Sequence, residues 1–185
     1  MKRNLLNLFA LTCAMLVNAT AWAQSSTLTI DPFTIEKGAK KQVAIKLVKE
    51  TGAEVIGFQC KVELPAGLTI TKDEEEELIV SAISGTVQSS KANIILNYAE
   101  ATGVLLVYND KNSAYKDDVE GVVLFEFQAS DDFAGGVIAL KDIVLSLKGN
   151  NKVTAADVTA EVSVPAVVPV PEGPSLYIKD FTIAA

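Results

Sequence analysis

The sequence predicts an all-β fold, an antiparallel β-sandwich, from three observations. Apolar and polar residues alternate with a period of two in many short segments, which is typical of strands with one buried face. Turn-forming residues separate these segments, and no convincing amphipathic helix interrupts them. The chain has 185 residues, of which 49% are hydrophobic, so it is long enough and apolar enough for one sandwich-sized domain.

Alternation is clearest in five segments, and each of them predicts a strand. Their predicted buried residues are Val43, Ile45 and Leu47; Ile56, Phe58, Cys60, Val62 and Leu64; Val123, Phe125, Phe127 and Ala129; Ile143, Leu145 and Leu147; and Val158, Ala160, Val162 and Val164. Shorter candidate strands lie at 68–71, 78–84, 92–99 and 103–109. The acidic run at 73–77 is compatible with a helix but is only one turn long, so we interpret it as a solvated loop or a frayed turn.

Residues 1–23 predict a secretory signal peptide. Lys2 and Arg3 precede a short apolar segment, and the small residues Ala21 and Ala23 mark a cleavage site. We therefore expect a protein that begins at Gln24 and is secreted or displayed at the cell surface, without a membrane span after cleavage. The alternative is a retained N-terminal anchor.

An internal repeat defines the predicted domain organisation. Residues 28–35 match residues 176–183. In both copies the alternation of apolar residues shifts by one position between the isoleucine and the phenylalanine that follows it. Such a change turns the buried side of a strand over, as in an edge strand that bends or passes between sheets. We expect a domain at 24–164, a Pro-rich linker at 165–174, and the first strand of a second repeat at 175–185.

Composition excludes several classes of function. The chain has no histidine, which rules out histidine-dependent nucleophilic and metal sites. Its net charge is −7, and no basic stretch indicates nucleic-acid binding. No cofactor or metal is expected. Carboxylates are numerous, but no pair is marked as catalytic by its neighbours, so glycoside hydrolysis remains an alternative without a defined site.

Two further residue groups have alternative interpretations. Cys60 lies in the buried phase of its strand, which favours an inert core thiol over a nucleophile. The loop at 109–120 contains several oxygen ligands that would suit calcium, but two lysines lie among them and the spacing favours a solvated turn.

The strand and turn pattern resembles that of a known family. The segments are Gly103–Asn109, Gly121–Phe127 and Gly135–Ser146, together with the opening at 28–35 and the turn at 64–68. They are similar to cohesin-like modules of the carbohydrate-binding-domain superfamily, particularly secreted versions from Bacteroidetes. The resemblance covers about residues 26–164.

This resemblance implies a jelly-roll-like antiparallel β-sandwich of about nine strands. It also implies a non-enzymatic, monomeric binding module in extracellular polysaccharide handling, with a dockerin-like module or a polysaccharide as partner. The surface around strand 103–109 is where a ligand is expected. The runner-up is a structural spacer in a tandem-repeat surface protein, which the linker and the repeat favour.

Tyr108, Asn109, Asp110 and Tyr115 are the predicted ligand-binding residues, because tyrosines and polar side chains cluster there. An exposed Tyr115 would extend an aromatic platform. The alternative is that Tyr98 and Tyr108 only pack at strand margins.

Overall fold

The computed structural model describes residues 26–117 and 119–166, which form twelve strands and contain no helix. Within this part of the chain, no segment therefore has the length and helical form needed for a membrane-spanning helix. The predicted leader at 1–23, most of the predicted linker and the predicted repeat strand lie outside the described residues. The strands are β1 (Thr27–Ile30), β2 (Phe33–Thr34), β3 (Lys40–Val48), β4 (Val55–Glu63), β5 (Leu68–Ile70), β6 (Val80–Ala82), β7 (Ile94–Ala99), β8 (Val104–Asn109), β9 (Val123–Ala129), β10 (Gly136–Leu147), β11 (Asn151–Thr154) and β12 (Val158–Ser163).

These strands form two sheets, which confirms the predicted all-β sandwich. One sheet has the order β1-β3-β9-β5, with β6 also paired to β9. The other has the order β2-β12-β10-β4-β8-β7, with β11 also paired to β10. The pairings are antiparallel except for β2 with β12. The number of strands exceeds the expected nine partly because β2 and β11 have only two and four residues. Strands this short show too little alternation to be recognised in the sequence.

The chain passes from one sheet to the other directly after β1. Strand β1 pairs with β3 in the five-stranded sheet, whereas β2 pairs with β12 in the seven-stranded sheet. Asp31 and Pro32 connect them, and proline suits this position because it has no N–H to pair. The change of apolar phase between Ile30 and Phe33 therefore marks a transfer between sheets, one of the two predicted outcomes.

The inward-facing side chains of both sheets form one hydrophobic core. Phe125 and Phe127 of β9 stack with ring centroids 5.5 Å apart, and Phe33 continues the stack at 6.0 Å from Phe127. Phe58 and Cys60 of β4 face them from the other sheet and are buried. Each fully buried side chain of this size stabilises the fold by about 1.5–3 kcal/mol, so these strands are held mainly by their inward faces.

The set of alternate residues of strand β10 that faces the core changes in the middle of the strand. Leu140 and Ile143 are both buried although they are an odd number of residues apart. The pairing with β4 shifts register between Lys141 and Val144, and Asp142 has a φ of 51°. An extra residue in a bulge therefore restores the inward direction for the second half of the strand. The sequence pattern predicted only that second half.

The acidic run at 73–77 forms an exposed turn, as expected. The Asp73 carboxylate accepts hydrogen bonds from the backbone N–H groups of Glu75 at 2.9 Å and Glu77 at 3.0 Å. A side chain that satisfies two backbone donors in this way closes a turn without requiring a helix.

Candidate functional site

The outer face of the seven-stranded sheet carries a continuous surface across β7, β8, β4 and β10. Cross-strand pairs place Ile95 beside Tyr108 and Tyr108 beside Gly57. In the next row, Asn97 lies beside Leu106, Leu106 beside Gln59, and Gln59 beside Val144 of β10. Side chains paired in this way contact one another on the same face of a sheet.

Three exposed apolar side chains gather on this face. Ile95 and Leu106 are each 38% exposed and Tyr108 is 43% exposed. They belong to the four large apolar side chains that are exposed in the described residues, and the fourth, Val137, lies elsewhere on the sheet. We call Ile95, Leu106 and Tyr108 the apolar patch. Single exposed apolar residues are ordinary, whereas three adjacent ones make this face a candidate interaction surface.

Gly57 allows β4 and β8 to approach each other closely at Tyr108. A Cβ at this glycine would lie 2.8 Å from the backbone oxygen of Val107 and 3.2 Å from the Cβ of Tyr108. These distances are too short for a side chain, so a residue larger than glycine would displace the Tyr108 strand. The absence of a side chain at this position is therefore what permits the close packing of the two strands beside Tyr108.

A small ion cluster lies next to the apolar patch. Glu63 of β4 contacts the Lys61 Nζ through Oε1 and the Lys141 Nζ through Oε2, each at 2.7 Å. The hydrogen bonds from Lys141 and Lys61 lower the pKa of Glu63 to about 2, and the same contact raises the pKa of Lys141. Because Lys61 pairs across the sheet with Val104, this cluster gives the surface a charged border on one side.

The predicted site residues Tyr108 and Asp110 are exposed, whereas Asn109 is not. The Asp110 carboxylate accepts a hydrogen bond from the Asn93 backbone N–H at 2.9 Å, and this bond chiefly lowers its pKa. Asn109 is only 3% exposed. Its side-chain amide donates to the carbonyls of Ile56 at 3.0 Å and Ser113 at 2.9 Å, so it fixes the loop after β8.

The expectation that Tyr115 is exposed is wrong. Its side chain is 0% exposed, and its ring lies 6.0 Å from that of Phe58 in the core. The loop turns back to form a β-bridge between Val87 and Tyr115, and the Tyr115 N–H donates to the Val55 carbonyl at 2.8 Å. Burial raises the pKa of the Tyr115 hydroxyl. A three-ring platform that includes Tyr115 is therefore excluded.

The structure does not support a reactive thiol at Cys60 or a metal site in the described residues. Cys60 is 1% exposed, and burial raises the pKa of its thiol to about 12, so the reactive thiolate is absent at neutral pH. This confirms the predicted core position. In residues 26–117 and 119–166, no group of three or more acidic or cysteine side chains is arranged to hold a metal ion.

Sequence reasoning missed Ile95 and Leu106. Both lie in the outward phase of strands whose inward phase is also apolar, so β7 and β8 show little alternation. Large apolar residues in both phases of a strand are themselves the sequence signal that could have singled out this outward face.

Comparisons with known proteins identify the architecture. No family model matches the chain, and no curated protein matches it. Solved structures do match it, among them a cohesin module from a family 33 glycoside hydrolase of Clostridium perfringens. That match has a TM-score of 0.56 and 15% sequence identity and covers 76% of this chain and 95% of that one.

Two other matches come from cohesin–dockerin complexes. A type I complex from Clostridium thermocellum matches with a TM-score of 0.54 and 8% identity over 76% of this chain and 95% of that one. The sixth cohesin of scaffoldin B from Acetivibrio cellulolyticus, in complex with a Cel5 dockerin, matches with a TM-score of 0.53 and 16% identity. It covers 77% of this chain and 100% of that one. At these identities the similarity defines the architecture, and the chain has the fold of a cohesin module.

Proposed function

We propose that the chain is a non-enzymatic protein-binding module whose partner is a dockerin-like module. The observation that carries this proposal is the apolar patch on the outer face of the seven-stranded sheet. A partner that covers it would remove three large apolar side chains from water, and such central, well-packed contacts supply most of the affinity of a protein interface.

The fold and the charges support this choice of partner. Structures with the same fold include cohesins in complex with dockerins. The apolar patch has the Glu63–Lys61–Lys141 cluster on one side, so the surface combines an apolar centre with a charged border. This is the usual arrangement of a protein-binding surface.

A polysaccharide partner has less support. Ring stacking on a sugar needs exposed aromatic faces, and of the tyrosines predicted to form a platform, Tyr115 is buried. Tyr108 would be a single stacking residue. We therefore favour a protein partner, in the setting of secreted polysaccharide-degrading systems, where the leader at 1–23 would place the module outside the cell.

A spacer module is the second candidate function. The match between residues 28–35 and 176–183, joined by a Pro-rich segment, favours a chain built from repeated modules. A pure spacer needs no binding surface, so the apolar patch distinguishes the two functions.

Calorimetric titration of the exported full chain with a panel of dockerin modules tests the proposal. We expect one-to-one binding by at least one module, and Leu106→Lys should weaken it at least about tenfold, because a charge would enter the apolar centre. Val137→Lys is the matched control, since Val137 is 52% exposed on the same sheet but outside the apolar patch. Absence of binding across the panel, or equal losses from both variants, would contradict the proposal.

A further inference from the structure

Strand β7 is an unprotected edge of the seven-stranded sheet. It pairs with β8, and among the described residues no strand pairs with its other side. It has six residues, whereas every other edge strand in the described part of the chain has four or fewer. Long natural edge strands normally carry a proline, a charge or a bulge that prevents pairing, and the β7 sequence IILNYA carries no proline and no charge.

The register identifies which backbone groups of β7 are free. The Asp110 N–H donates to the Asn93 carbonyl at 3.2 Å, which makes these two residues a hydrogen-bonded pair next to the strand. Hydrogen-bonded pairs alternate along an antiparallel ladder. The N–H and C=O groups of Ile94, Leu96 and Tyr98 therefore point away from β8, towards the open side.

We propose that β7 pairs with β7 of a second copy of this chain, antiparallel about a two-fold axis at Leu96. Ile94 of one copy then lies opposite Tyr98 of the other, and the free groups of both strands form about six backbone hydrogen bonds. The two seven-stranded sheets become one continuous sheet. The sequence-based expectation of a monomeric module would then be wrong.

Charges at the two ends of β7 favour a second copy in this orientation. Lys91 precedes the strand and Glu100 follows it, and both side chains are exposed. Glu100 also contacts the Lys72 Nζ of its own copy at 3.4 Å, and its side chain remains 62% exposed. An antiparallel pair brings Glu100 of each copy close to Lys91 of the other, so unlike charges meet at both ends. A parallel pair would place like charges together. The two ends of the strand are therefore complementary in charge to those of a second copy in this orientation.

The shape of the open side also fits a symmetric pair. A cleft of about 310 Å³ lies at one end of β7 and includes Leu78 and Tyr98 in its lining. A second cleft of about 320 Å³ lies at the other end and includes Ala82 and Ile94. In the proposed register, the Ile94 end of each copy meets the Tyr98 end of the other, so a cleft of each kind lies at both ends of the pair. The half-buried side chains of Ile94 and Tyr98 would lose further exposed area on pairing.

Sedimentation of the full chain, exported with its own leader, tests this pairing between about 1 μM and 1 mM. We expect the mass to rise from monomer to dimer, and the amide hydrogens of Ile94, Leu96 and Tyr98 to become protected from exchange as the dimer forms. A monomer at every concentration would overturn the proposal.

Two matched double variants test the register. Ile95 of one copy lies opposite Asn97 of the other, so Ile95→Lys with Asn97→Lys places like charges across both symmetry-related pairs. Ile95→Lys with Asn97→Glu places unlike charges there. We expect the dimer dissociation constant of the first variant to be at least about tenfold higher than that of the second. Equal dissociation constants would show association through another surface and would overturn the β7 pairing.

Discussion

Asn109 holds the loop beside Tyr108 in place. Besides its two donated hydrogen bonds, its Oδ1 accepts one from the Ser113 N–H at 2.8 Å. Asn109→Ala would remove three hydrogen bonds to partly buried backbone groups of Ile56 and Ser113, so we expect a loss of about 1–3 kcal/mol in the free energy of unfolding. Urea denaturation measures this loss. Asn97→Ala, at an exposed position, is the control and should stay within about 0.5 kcal/mol of wild type.

Glu63 should contribute to the pH dependence of stability. Its folded-state pKa is about 2 against an ordinary value of 4.5, because Lys141 and Lys61 hydrogen-bond to the charged carboxylate. The unfolded chain therefore takes up this proton first as the pH falls, so the contribution is complete above about pH 4.5 and is lost between there and about pH 2.

Comparison of wild type with Glu63→Gln measures this effect. The stability difference between the two proteins should be constant above about pH 5 and should shrink steadily as the pH falls towards 2. Glu161→Gln is a control at an exposed glutamate that forms no ion pair within the described residues. A difference that stays constant down to pH 2 would mean that Glu63 is not stabilised by the two lysines.

At the level of elements, the bulge in β10 sets which residues face the core. Asp142 adopts a φ of 51°, a region that glycine and asparagine tolerate and β-branched residues avoid. We expect Asp142→Val to lower the free energy of unfolding by about 1–3 kcal/mol and Asp142→Asn to leave it nearly unchanged. Thermal unfolding of the two variants checks this. Equal stability would mean that the bulge relaxes without cost.

The sequence predicted which side chains of a strand are buried where the two faces of the strand differ, but not where both faces are apolar. In β4, Phe58, Cys60 and Val62 are buried as the alternation predicted, because only one face of this strand meets the core. In β8, Leu106 was missed because both phases are apolar. The bulge in β10 was not predictable from the sequence. One inserted residue reverses the alternation of buried and exposed residues, and in the sequence this reversal looks the same as the end of a strand.

Loop residues were the least predictable part of the candidate site. Tyr115 lies among polar residues in the sequence, which suggested exposure, but contacts with Val55 and Phe58 bury it. Those contacts join residues about sixty positions apart, so composition near Tyr115 carried no information about them. The burial of Asn109 was equally unpredictable, because its side-chain amide donates to the Ser113 carbonyl within the loop and to the distant Ile56 carbonyl.

For the whole molecule, we predict that the described sandwich is complete without the tail. Both sheets and the core are formed by residues before Pro165. Deletion of residues 165–185 should change the melting temperature by less than about 2 °C, because all core residues identified in the described part of the chain are retained, and it should improve solubility. A differential scanning calorimetry scan that shows a loss of 10 °C or more, on the order of several kcal/mol, would mean that the tail completes the sandwich.

The outer face of the seven-stranded sheet is the proposed binding surface, and NMR mapping tests it most directly. An isotope-labelled chain would be titrated with a dockerin module that binds it. We expect the largest amide shifts at Ile95, Leu106 and Tyr108 and at Gln59 beside them, with little change in β3 and β9 of the opposite sheet. Shifts concentrated on the five-stranded sheet, with an unchanged apolar patch, would contradict the proposed surface.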